Sequence, residues 1–236
     1  MARTIKVDNA LLKRFSYTKK KRINRELKVY FLIVCEGEKT EPNYFIKFNG
    51  KRNYINIPNE VVCEGKGYST LKVVEETIRI RNNNPNKFDR VWAVFDRDSF
   101  CASDFNAAIL KAKSNKISCA WSNEAFELWY LLHFQYRNTG MKRNEYKKAI
   151  EDAINEQSKS KKKCFKYHKN SVDMYDILQQ FGNQEQAIVR AKKLIQNYKG
   201  CQFAEYNPAT TVYELVEELI GKSMKLKEEI MKKFEK

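Results

Sequence analysis

The chain has 236 residues, 42% hydrophobic and 13% aromatic, with 45 Lys and Arg against 29 Asp and Glu and a formal net charge of +16. This length suits one domain, the apolar share supplies a sizeable core, and wholesale disorder is excluded. No run approaches the ~18 apolar residues of a membrane span, and the apolar stretch after the basic N-terminus lacks a small-residue cleavage site, which argues against a signal peptide.

The charge is unevenly placed. Residues 1–28 carry a net +8 and residues 141–170 a net +6, leaving only +2 for the other 178. Two concentrated patches on a near-neutral body suit a polyanion, because Lys and Arg on phosphates release condensed counterions. The candidate contacts are Lys19, Lys20, Lys21, Arg22 and Arg25 in the first patch, and Lys161, Lys162 and Lys163 in the second. A soluble, cytoplasmic, nucleic-acid-binding protein is the expectation.

In chain order, a basic arm runs to about Lys28. Val29 to Cys35 is then continuously apolar and rich in β-branched and aromatic residues, as in a strand buried on both faces of a parallel sheet. A helix is predicted from Glu41-Pro42, with proline in a tolerated first-turn position. Ile55 to Ile57 and Val61 to Cys63 suggest a second strand interrupted by Pro58. Ser69 or Thr70 can cap a helix over 71–81, which Asn82 to Asn86 terminates.

Arg90 to Phe95 reads as a third buried strand ending in Asp96-Arg97-Asp98. A helix over 104–113, a strand over 116–121 and a helix over 124–134 follow, the last with Ser122 or Asn123 as its cap. Alternating strands and helices over 29–135 predict an α/β fold with a mainly parallel sheet and flanking helices. The rest reads as a helical C-terminal region packed on the same domain, with helices at 143–157, 184–197, 210–220 and 222–234.

Three carboxylates stand where chemistry is expected. Glu36 follows the first strand, and Asp96 and Asp98 close the third, so all three fall at the carboxyl edge where open α/β sheets bind ligands. Leaving such acids together without a cation costs energy by mutual repulsion, which argues for a metal. The six Cys show no C-x-x-C pair, and the two His, 133 and 168, are far apart. Zinc is therefore disfavoured, and carboxylate ligands point to Mg²⁺ or Mn²⁺.

Other signals are weaker. Gly65-Lys66-Gly67-Tyr68-Ser69-Thr70 lacks the order of a nucleotide-binding phosphate loop and reads as a turn. His133, Trp129 and Tyr130 read as core. Tyr167-His168-Lys169 is placed to stack on a base or to extend the basic surface.

Val34-Cys35-Glu36-Gly37, with Val94-Phe95-Asp96-Arg97-Asp98 two α/β units later, resembles the Toprim domain of topoisomerases, primases and OLD-type nucleases. Leu32 to Phe45, the Ser122-Asn123 and Phe126-Glu127-Leu128-Trp129 blocks, and Asn207-Pro208-Ala209-Thr210-Thr211-Val212 are similar to the RloB-like family. That resemblance implies a Toprim/Rossmann-like fold and a Mg²⁺ or Mn²⁺ site at Glu36, Asp96 and Asp98. It also implies nuclease activity, with DNA favoured over RNA, in prokaryotic defence against phage and abortive infection.

Glu127 enters as an added ligand or supporting acid, and Lys39 as a residue that steadies a phosphate oxygen or is simply a surface lysine. Glu124 stands where the family pattern usually has proline, which makes it a poor catalytic candidate despite its i,i+3 spacing to Glu127. The competing reading is a non-catalytic binding or sensor subunit working with a separate ATPase, since this chain carries no ATPase motif. Primase-like synthesis is a further alternative.

Overall fold

The computed structural model describes residues 28–51, 58–65, 67–85, 87–98, 101–158, 164–224 and 226–229. The basic arm, Ile55 to Ile57 and the Lys161–Lys163 run lie outside the described residues.

The apolar run after the arm forms strand β1, Val29–Cys35, and every residue in it except Tyr30 is buried. Its side chains alternate between two cores, as a period of two requires. Phe31, Ile33 and Cys35 enter one core, and Leu32 and Val34 enter the other. β2, Asn59–Gly65, and β3, Arg90–Asp96, flank β1 in parallel, and β4, Ser118–Asn123, lies parallel to β3. A two-residue strand β5, Ala209–Thr210, adds antiparallel to β4, giving the order β2-β1-β3-β4-β5. The protein is a mixed α/β fold with a mainly parallel sheet.

Helices cover both faces. α1, Thr40–Phe45, joins β1 to β2, with a 3-10 turn at Ile46–Phe48. α2, Thr70–Asn83, crosses over β1 to reach β3, and α3, Ala102–Ser114, joins β3 to β4. Val73, Val74 and Ile80 of α2 pack with Phe105, Ala108 and Ile109 of α3 against the face carrying Leu32 and Val34.

The opposite face holds Tyr44 and Phe45 of α1 and most of the later helices. These are α4, Glu127–Leu132; α5, Arg143–Ser158; α6, Met174–Phe181; α7, Gln184–Ile195; and α8, Val212–Leu219. Tyr146, Ile150, Leu178, Leu194 and Leu215 share one core with Phe31 and Ile33, so the C-terminal helices complete a face of the sheet.

Some boundaries differ from the sequence expectation. Ser122 and Asn123 end β4 instead of capping a helix, and α4 begins only at Glu127, because the hydrogen bonds of both residues go to β5 and its approach. Glu124 thus precedes the helix, and its spacing to Glu127 is not that of two residues on one helical face. The Asn123–Glu124 peptide is cis. α6 and β5 were not expected. Among the described residues no helix is long and apolar enough to cross a membrane.

Candidate functional site

The chain leaves β1 towards β2 on one side and leaves β3 towards β4 on the other. The carboxyl ends of β1 and β3 therefore form a topological switch point, where an open sheet has a crevice. A cleft of about 510 Å³ opens there. Six carboxylates line it: Glu36, Glu38, Glu41, Asp96, Asp98 and Glu127. The three cations on its wall are Lys39, Arg143 and Lys169, so the cleft is acidic within a basic protein.

The sheet fixes the first two acids. Glu36 N donates to Val94 O at 2.9 Å, extending the β1–β3 ladder one residue beyond the strand. Glu36 Oε2 in turn accepts from Asp96 N at 3.2 Å. Asp96 is 3% exposed, and its Oδ2 accepts from Phe126 N at 3.0 Å. Asp98 lies two residues on, in a turn with φ +40°, a region uncommon for any residue but glycine yet more accessible to aspartate than to most. Its N–H donates to Glu124 O at 3.2 Å, and its half-exposed carboxylate meets Arg143.

The cleft floor is deeper than the sequence suggested. Glu41 is 5% exposed and packs beneath Gly37, where a Cβ would come within 2.1 Å of Glu41 Oε2. Glu127 is equally buried and accepts from the Tyr167 hydroxyl at 2.9 Å. Neither Asp96 Oδ1 nor Glu127 Oε2 finds a hydrogen-bond partner among the described residues.

Burial and crowding disfavour ionisation here. Burial pushes the Glu36 carboxyl up to about 8, helped by Glu41 and Asp98 and opposed by the Asp96 N–H and Arg143. Asp96 is raised well above the ordinary carboxylate range by burial and then by Glu41, Glu127 and Glu36. Burial likewise raises Glu41, with Glu127 adding to it and Lys169 and Arg143 opposing. Burial works against the Arg143 charge, but Asp96, Glu127 and Asp98 raise its pKa overall.

Glu36, Asp96, Asp98, Glu127 and Lys39 all line this one cleft, with Lys39 exposed at its rim. Tyr167 differs from its expected place: it is buried, with its hydroxyl on Glu127, and offers no face to a base, whereas His168 and Lys169 beside it are exposed. Gly67 serves the site as a support. Gly67 N donates to Glu36 O at 2.8 Å, which commits that amide to the chain and not to a phosphate. His133 is a core residue, with Nδ1 donating to Trp129 O at 2.9 Å.

The donor set fits a hard divalent cation. All the acids present oxygen, and two buried carboxylate oxygens lack hydrogen-bond partners among the described residues. Among the described residues no group of three or more His, Cys, Asp or Glu side chains is arranged to hold a metal ion as it stands. Asp98 is turned onto Arg143 instead.

The family comparison matches residues 31–219 to the model described as RloB-like protein. The chain belongs to the RloB-like family. The match runs from the third residue of β1 to the end of α8 and includes every acid of the cleft, while the basic arm precedes it. Neither the curated proteins nor the solved structures returned a match to this RloB-like chain.

Proposed function

We propose that this RloB-like chain is a Mg²⁺- or Mn²⁺-dependent nuclease of the Toprim type, cleaving phosphodiester bonds, with DNA the favoured substrate, in prokaryotic defence against phage or mobile elements. The observation that supports this reading is the convergence of Glu36, Asp96 and Asp98 in one acidic cleft at the switch point of the sheet. Asp96, Asp98 and Glu36 are the residues that would hold the cation. Bound there, it supplies charge neutralisation at a phosphate and lowers the pKa of a water.

The chain's own groups fill the remaining roles. Glu36 would serve either as a ligand of a second cation or as the general base towards the water; burial raises its carboxyl to about 8 in the cleft without a cation, and positive charge bound beside it favours the carboxylate both roles require. Lys39 and Lys169, exposed at the rim, face an incoming anion.

The test is a plasmid-nicking assay in Mg²⁺, Mn²⁺ or EDTA. Nicking is expected with either cation, not with EDTA, and is lost in Glu36→Ala and Asp98→Ala. If both folded variants cut as well as wild type, the site is elsewhere. Wild-type protein that binds DNA without cutting it supports the binding-subunit reading instead.

A further inference from the structure

We propose that Arg143 is the resident counter-ion of the cleft, and that a divalent cation binds by displacing its guanidinium from Asp98. This inference rests on reading the cleft as a cation site and deepens it. Arg143 Nη1 bonds to Asp98 Oδ2, and Nη2 stands 3.8 Å from Asp96 Oδ2. One guanidinium thus occupies the two carboxylates that close β3.

The position of Arg143 breaks a local rule. It is the first residue of α5, where the amide dipoles favour negative charge and disfavour a cation. Such a violation is expected where a site compensates for it, and here the acids facing the helix do so. The turn itself is secured by Glu145, whose Oε2 accepts from Lys142 N at 2.7 Å.

The helix is held by apolar packing, the side chain by its ion pairs. Tyr146, Ile150 and Ile154 are buried in the main core and fix the backbone of α5. The Arg143 side chain is 34% exposed, so its head can swing out along the cleft without disturbing that packing.

Arg143 also leaves the cleft incompletely neutralised. Its planar fork reaches Asp98 and approaches Asp96 Oδ2, yet Asp96 Oδ1 and Glu127 Oε2 remain without partners. A dication brings twice the charge to the same carboxylates and accepts donors from several directions. The exchange of one for the other needs no movement of the sheet.

Mn²⁺ binding to the full chain, followed by electron paramagnetic resonance of the free ion, tests this. Arg143→Gln should bind Mn²⁺ roughly tenfold more tightly than wild type, on the scale of one partly buried ion pair. The gain should disappear when Asp98→Asn is added. Arg143→Lys, which keeps the charge but not the fork, should fall between. If Arg143→Gln fails to fold, a larger Mn²⁺-induced rise in Tm for Arg143→Lys than for wild type carries the same information. A folded Arg143→Gln with equal or weaker Mn²⁺ affinity overturns the proposal while leaving the cation site intact. No Mn²⁺ binding by either wild type or variant overturns both.

Discussion

Trp92 Nε1 donates a 2.8 Å hydrogen bond to Glu218 Oε2, joining the middle of β3 to the last turn of α8 across 126 residues of sequence. Arg90, two residues earlier on β3, adds a second bond to the same carboxylate oxygen from Nε at 2.8 Å and one from Nη2 to Oε1. Glu218 is 4% exposed. This buried carboxylate, accepting three bonds, ties the α/β half to the C-terminal helices.

Removing that charge should therefore be costly. Glu218→Leu would leave the Trp92 N–H without its acceptor and Arg90 with the half-exposed Glu229 alone; breaking a buried pair on one side typically costs about 3–5 kcal/mol, and the remaining partner places this change near the lower end. Urea unfolding should show a loss of that order. A loss under about 1 kcal/mol, the scale of an exposed pair, would contradict this account.

His133 provides a pH signature away from the cleft. Its imidazole is 2% exposed, and burial depresses its pKa from 6.5 to about 4. A depressed folded-state value means that the neutral form is favoured in the native protein. Its contribution is fully present above 6.5 and is lost as pH falls through about 4. The loss attributable to this group is about 3 kcal/mol at most. The stability of His133→Phe should fall less steeply between pH 6.5 and 4 than that of wild type; parallel curves would count against it.

Gly65 is predicted to be an indirect determinant of cation binding. A Cβ there would come within 2.5 Å of Gly37 O and 2.6 Å of Glu38 O, both backbone atoms of the loop that carries Glu36. Gly65→Ala should force that loop away, at about 1–3 kcal/mol of stability. Calorimetry with Mn²⁺ should show weakened binding in a protein whose circular dichroism is native. Unchanged binding would show that the loop yields without moving Glu36.

The basic arm should contribute affinity without chemistry. Replacing Lys19, Lys20, Lys21 and Arg22 by Ala should reduce the slope of log K against log salt for duplex DNA by up to about 3.6, since each neutralised phosphate contributes ~0.9. Asp98→Ala should leave that slope unchanged. Fluorescence anisotropy at several salt concentrations measures both, and an unaltered slope in the arm variant would place the DNA elsewhere.

The sheet and the acids at its edge were legible because their signals are local. β1 is a continuous apolar run, and Glu36 and Asp96 immediately follow or end such runs. Glu41 was hidden because its burial depends on Gly37 offering no side chain above it, a relation between two residues that periodicity does not register. Arg143 was hidden because it meets Asp98 across 45 residues and sits on an ordinary amphipathic helix. Its one local clue was a cation in a first helical turn. β5 was illegible because two residues carry no alternation to detect, although the Asn207 to Val212 block around it resembles that of the RloB-like family. α6 did carry a usable signal in Met174, Tyr175 and Leu178, all buried on one face.

The small strand β5 also dictates when this protein can finish folding as it is made. Ser122 Oγ and Thr210 Oγ1 lie 2.9 Å apart, and the Trp121 N–H waits for Thr211 Oγ1, also at 2.9 Å, so the outer edge of β4 has no partner until almost ninety further residues have been synthesised. Through that interval a nascent chain exposes an open strand edge of the kind that seeds mispairing with other chains. A fragment ending near residue 135 would keep that edge open permanently. Versions of the chain that end before β5 are thus expected to aggregate, whatever remains of their acidic cleft.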